Sequence, residues 1–178
     1  FSKRSGYINQ IQYLLDNTNM NYGCHASIWK SDYIPSSGLG KINMGNAILS
    51  KYSLKEAERI GLALRSDQSE LIKYFYLRRN ILRVKIDDLG LYAVNIHATA
   101  FATDSTKQIH IDKYLEVLSK ISDGGYSFVT GGDLNSLPPG ASKYDFCDFD
   151  GCDGERFHIS DEKGEETHKE GSYFDNFT

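Results

Sequence analysis

Gly131-Gly132-Asp133-Leu134-Asn135-Ser136-Leu137-Pro138 is the stretch whose reading decides the fold. It follows the apolar run Tyr126-Ser127-Phe128-Val129-Thr130, which reads as a buried strand. An acid and an amide then sit two residues apart at the strand's end. In an extended chain, residues i and i+2 point to the same face. If strand geometry continues, the Asp133 carboxylate and the Asn135 carboxamide converge on one point. The glycines before them leave room for close approach, and Pro138-Pro139 ends the regular structure. A carboxylate takes up a proton or binds a metal, and an amide donates to an oxyanion. Together they suit water activation next to a phosphate.

The flanking sequence alternates helix and strand patterns. Tyr7, Ile8, Ile11, Leu14 and Leu15 recur at helical spacing and predict an amphipathic helix over about Ser5 to Asn17. Tyr22 to Trp29 and Met44 to Ser50 read as strands, with a loop over Ile34 to Gly40. Leu54 to Leu64 reads as a strand or a short helix. Phe75 to Ile86 and Leu91 to His97 read as strands joined through Asp87-Asp88-Leu89-Gly90, a hairpin signal. Ser105 or Thr106 caps a helix that continues to about Ile121, and Gly124-Gly125 stops it. After Pro139 the chain turns polar and rich in Gly and Asp. Hairpins mixed with strand–helix–strand units imply an α/β protein.

Composition sets further bounds. A chain of 178 residues suits one domain with a real core. Twelve Tyr and nine Phe suit a β-rich core or an aromatic-walled cleft. The formal net charge of −4 argues against tight nonspecific binding to nucleic acid, which relies on Lys and Arg at phosphates. A local basic groove within an acidic whole keeps a nuclease open. No run of 18 apolar residues occurs, so no membrane span is expected. No signal peptide is recognisable, and the localisation stays open.

Four segments together resemble a known family. Gly-Gly-Asp-Leu-Asn-Ser at 131–136 is similar to the Gly-Asp-Phe-Asn motif of the endonuclease/exonuclease/phosphatase superfamily. Gly45-Asn46-Ala47-Ile48-Leu49-Ser50-Lys51-Tyr52 resembles its Gly-Asn-Ala-Ile-Leu-Ser-Arg strand. Arg79-Asn80-Ile81-Leu82-Arg83-Val84-Lys85-Ile86 looks like its arginine-led strand, and Leu91-Tyr92-Ala93-Val94-Asn95-Ile96-His97 like its Val-Asn-Thr-His strand. All four stand in the family's order. The resemblance implies a four-layer sandwich, with two mixed β-sheets face to face and helices on both outer faces. It implies one domain over residues 1–178, incomplete at both ends. The family's Gln-Glu strand, whose Glu is the principal magnesium ligand, and its Ser-Asp-His strand have no counterpart. The expectation is therefore hydrolase activity in a longer parent protein and not in the 178 residues alone.

The resemblance also implies site residues. Asp133 orients or deprotonates the attacking water and, with Asn135, touches a metal. Asn135 holds the phosphate or the nucleophile. His97 bonds a phosphate oxygen or supports the leaving group, although some family members carry Tyr at this point. Arg79, with Arg78 as its rival, approaches the phosphate, whose oxygens match a guanidinium fork. Each has a plainer reading: Asp133 as a strand-end turn residue, Asn135 in an Asx turn, His97 as a core histidine, Arg79 as a surface charge. Asn46 reads as structural, and His110 as solvated on its helix. Mg²⁺, or Mn²⁺ or Ca²⁺, is the implied cofactor, because hard oxygen ligands and a phosphate favour these ions over zinc. The expected partner is a phosphoester: nucleic acid, a phospholipid head group or a small phosphate ester. A monomer is expected. A catalytically inactive member that binds a phosphorylated ligand or a protein is the alternative.

Cys147 and Cys152 pair in a small loop and leave Cys24 free, or all three are thiols. Cys147, Cys152, His158 and His168 lack the spacing of zinc fingers. The acidic stretch Asp145 to Glu155 lacks the glycine and glutamate offsets of a calcium loop.

Overall fold

Strict alternation along two neighbouring strands organises this fold. In β4 (Asn80–Ile86), Val84 and Ile86 point to one side and Ile81 to the other. In β5 (Leu91–His97), Leu91 and Ala93 point one way, and Tyr92, Val94 and Ile96 the other. A strand pair with apolar residues on both faces must be covered on both faces. The computed structural model shows how. It describes residues 5–34, 38–75, 77–100 and 102–136.

The remaining elements are α1 (Gln10–Asn17), β1 (Tyr22–Ile34), β2 (Gly38–Ser50), β3 (Leu54–Gly61), α2 (Glu70–Phe75), α3 (Thr106–Asp123) and β6 (Ser127–Asp133). β1 and β2 form a two-stranded antiparallel sheet, and β3-β4-β5-β6 form a four-stranded one. The second sheet is antiparallel through β5, and β6 then runs parallel to β5. A parallel neighbour needs a long crossover, and α3 supplies it. The chain is thus α/β with two sheets. Only the four-stranded sheet is mixed; the expectation of two mixed sheets does not hold for β1–β2 among the described residues. By its contacts the chain divides into two compact units, Phe1–Leu134 and Asn135–Thr178. All the elements named here belong to the first.

One face of the four-stranded sheet packs on α3, where Ile81, Tyr92, Val94, Ile96 and Ala98 meet Tyr114, Val117, Leu118 and Ile121. The other face meets the β1–β2 hairpin through Val84, Ile86 and Ala93 against Cys24 and Ile48. Asparagines stitch the two sheets. Asn46 donates to the Asn80 carbonyl at 2.8 Å, Asn80 donates to the Ser27 carbonyl at 3.1 Å, and Asn95 donates to the Ala47 carbonyl at 2.9 Å. Asn46 is therefore structural, as its sequence reading holds. On the hairpin's outer face, Ile11 and Leu15 of α1 lie over Gly23.

Several expectations change. α1 starts at Gln10 and not near Ser5, because Gly6 and Tyr7 adopt φ of 60° and 62°, and Asn9 caps the helix at the Gln12 N–H. The loop expected over Ile34 to Gly40 is shorter, since β1 extends to Ile34 and β2 begins at Gly38. Leu54–Gly61 is a strand. The strand expected from Phe75 starts at Asn80, and Glu70–Phe75 is helical, with Ser69 Oγ accepting from the Ile72 N–H. A short apolar run does not reveal its own period. Asp104, and not Ser105 or Thr106, provides the side-chain oxygen at the start of α3. Asp87-Asp88-Leu89-Gly90 does close a hairpin, with Gly90 at φ 62°. Among the described residues β6 is an exposed edge and not a buried strand. Cys147, Cys152, His158, His168, Pro138-Pro139 and the stretch Asp145 to Glu155 lie outside the described residues.

Candidate active site

The parallel pairing of β5 and β6 brings two strand ends to one edge. The register runs from Leu91 opposite Ser127 to His97 opposite Asp133. The Ala98 N–H extends the ladder to the Asp133 carbonyl at 2.8 Å. His97 Nε2 then lies 3.6 Å from Asp133 Oδ2. His97 shares its face with Asn95, two residues before, and the Asn95 bond to Ala47 fixes that face toward β2. Gly132 makes the approach possible. Its φ is 137°, and a Cβ there would sit 2.0 Å from the Ile96 carbonyl oxygen. No L side chain fits that position, so the second glycine of Gly131-Gly132 is a geometric requirement. Beside it, Ile48, Asn95, Val129, Gly131 and Gly132 line a small open cavity along the β6 edge.

The electrostatics favour a neutral imidazole. Burial pushes the His97 pKa down, the Arg79 charge pushes the same way, and Asp133 opposes them. A distance of 3.6 Å is too long for a hydrogen bond. His97 and Asp133 therefore face each other without locking together. The Asp133 carboxylate stays open to solvent, with 61 % of its side chain exposed, against 24 % for His97. A neutral imidazole next to an accessible carboxylate can hold a water or an ester oxygen and pass a proton.

Arg79 and Arg78 separate cleanly. Arg79 is buried, its carbonyl accepts from the Leu62 N–H at 2.9 Å, and its charge depresses the pKa of both His97 and His110. It is the arginine that the fold brings into electrostatic reach of His97. The Arg78 side chain is exposed, and its backbone bonds Ile28 and Arg59 instead. Asn135 opens the second unit, with a left-handed φ of 49°. β6 ends at Asp133, so the extended register assumed for Asp133 and Asn135 does not run on to Asn135.

The sequence reading missed the support beneath this edge. His110 is not solvated; it is 1 % exposed. Its Nδ1 accepts from the Thr99 N–H at 3.1 Å, so Nε2 carries the proton and donates to the Ala63 carbonyl at 2.8 Å. His110 thus ties the segment after His97 to the segment after β3. The same two segments meet again nearby. Arg65 grips Asp67 with two bonds, Asp67 accepts from the Thr103 N–H and hydroxyl, and Asp104 accepts from the Ser66 N–H and hydroxyl. Arg65 holds the Asp67 carboxyl well below its usual range; burial pushes Asp104 up, but the bonds from Ser66 and Thr106 together outweigh it and hold that carboxyl below its usual range too. Lys107, in the first turn of α3, is buried as well, and burial lowers its pKa to about 8. Helical spacing exposes the signal for His110: it lies four residues before Tyr114, on the buried stripe. Nothing in the sequence singles out Lys107.

Among the described residues, no group of three His, Cys, Asp or Glu side chains comes together to hold a metal ion. At this edge Asp133 offers one exposed carboxylate, where magnesium commonly takes one or two beside water and phosphate oxygens. The described residues alone do not compose a complete metal shell. No family model, curated protein or solved structure matches the chain.

Proposed function

We propose that the protein hydrolyses a phosphoester bond at the edge formed by the ends of β5 and β6. One observation carries the reading: His97 and Asp133 are register partners, with a neutral imidazole 3.6 Å from an exposed carboxylate and the charge of Arg79 within reach. Ligands of α/β sheets sit at the carboxyl ends of parallel strands, and this is such an end. The Asp133 carboxylate orients a water and takes its proton. Neutral His97 donates a hydrogen bond to an ester oxygen. Arg79 provides fixed positive charge as negative charge develops on the phosphoryl group. Mg²⁺, Mn²⁺ or Ca²⁺ would polarise the phosphoryl oxygen when bound, and Asp133 is the carboxylate of this edge that would hold it. Sheets that meet face to face, with α1 and α3 on their outer sides, support a four-layer sandwich of the deoxyribonuclease type.

A binding module is the second reading, favoured by the lack of a metal-binding cluster among the described residues. Turnover of bis-p-nitrophenyl phosphate by the intact protein, in Mg²⁺ and in EDTA, separates the two. Metal-dependent release of nitrophenol supports the hydrolase. Calorimetric binding of a phosphate ester with no release supports the module.

A further inference from the structure

The helix α2 carries an apolar surface that the candidate site does not use. Leu71, Ile72, Tyr74 and Phe75 are 72 %, 51 %, 73 % and 48 % exposed, and no residue of the helix is buried. At 100° per residue these four cover an arc of roughly 160°. Lys73 lies opposite, bonded to Glu70 at 2.8 Å, with its side chain only 20 % exposed. The apolar arc therefore points away from the protein body. The Tyr74 and Phe75 rings meet edge to face, 5.0 Å apart. Four large apolar side chains within six residues form a patch that water-facing surfaces rarely keep without a use.

Charge decides among occupants. Glu70 and Lys73 cancel, so the helix itself is neutral. Arg78, three residues beyond Phe75, has no side-chain partner among the described residues. Its backbone is pinned by the Ile28 carbonyl at 2.7 Å and by the Arg59 guanidinium at 2.9 Å. An accessible cation thus follows, three residues on in the chain, a broad apolar arc with an aromatic pair. Aromatic rings settle at the level of lipid head groups, and a nearby arginine gains from anionic lipid. A broad arc suits a flat interface better than a narrow protein groove does.

We propose that α2 docks the protein on an anionic lipid bilayer, with Leu71, Ile72, Tyr74 and Phe75 in the interface and Arg78 on a head-group phosphate. No described helix is long and apolar enough to cross a membrane, so the contact is peripheral. Arg79 lies four positions after Phe75, and an extended chain spans at most about 14 Å over that distance. The docked surface therefore lies close to the candidate site. If the hydrolase reading holds, its substrate is a phosphoester of the membrane surface; docking itself does not depend on that reading.

The test is flotation of the 178-residue chain with phosphatidylcholine vesicles, with and without phosphatidylserine. Binding to the phosphatidylserine vesicles is expected. Leu71→Ser with Phe75→Ser should weaken it about a hundredfold, roughly tenfold per side chain, with an unchanged Tm because both sites are exposed. Ile72→Ser with Tyr74→Ser is a second, independent pair should the first not fold. Arg78→Glu should erase the preference for phosphatidylserine, and Asp133→Ala should bind vesicles like the parent whether or not it is active. No partition of the parent chain, or partition that survives both pairs, overturns the proposal. Self-association removed by these pairs, without vesicle binding, also overturns it and assigns the patch to a second copy.

Discussion

His97 and Asp133 sit on one rung of the parallel β5–β6 pairing, with Nε2 3.6 Å from Oδ2. Two strands that run the same way end on the same side, so α3, by carrying the chain back, creates this meeting. An antiparallel β6 would place Asp133 at the opposite end of β5.

The first prediction concerns His97. Its low pKa keeps the imidazole neutral below the ordinary value of about 6.5. His97→Leu removes both the donor to the ester oxygen and the ring whose protonation shapes the acid side of the profile. Phosphodiester turnover by the intact protein should fall about a hundredfold or more. The acid limb of the pH–rate profile should move or vanish with it.

Gly132→Ala tests the geometry. The new Cβ would meet the Ile96 carbonyl at a backbone angle that alanine avoids. β6 must shift away from β5, at a cost of about 2 kcal/mol or more. Urea unfolding should show a lower midpoint, and turnover should drop because Asp133 moves with the strand. Gly131→Ala meets no atom within 4 Å and should be far milder.

A pH prediction follows from His110. Burial lowers its pKa in the folded state. The unfolded chain therefore takes up protons first as pH falls below about 6.5. The stability contributed by the neutral ring is complete above that value and is lost as pH falls through the folded pKa. His97 and His25 shift in the same direction and add to the slope. His110→Phe should flatten the fall in urea midpoint between neutral and mildly acid pH without abolishing it. At neutral pH it should cost about 2 kcal/mol, because the Thr99 N–H and the Ala63 carbonyl lose a buried partner.

Asn80→Leu probes the seam between the sheets. The asparagine is fully buried and donates to Ser27 across the sheets. Leucine removes one of the two donors to that carbonyl and the Oδ1 that accepts from the buried Asn46 amide at 3.1 Å, for a loss of roughly 1–3 kcal/mol. Thermal unfolding should report it.

Much of this was legible in the sequence because it depends on period and punctuation. Leu91–His97 alternates and ends on a histidine; Gly-Gly-Asp ends the next parallel strand; Gly124-Gly125 ends α3. That placed His97 and Asp133 at strand ends. The edge character of β6 was hidden, since Phe128 and Val129 look equally apolar on a buried or a bare strand. The helix at Glu70–Phe75 was hidden for the same reason. The roles of Asn80, Asn95 and His110 depend on backbone N–H and carbonyl groups 11 to 53 residues away. Such pairings follow from sheet packing, which no local pattern encodes.

The most direct measurement is phosphodiester turnover by the intact protein in Mg²⁺, beside Asp133→Ala. Asp133 is exposed at the end of an edge strand, so its loss should leave the fold intact. A fall of about a thousandfold in kcat/KM with an unchanged unfolding midpoint is the predicted result. Equal turnover by the two proteins would contradict a hydrolytic centre at this strand end.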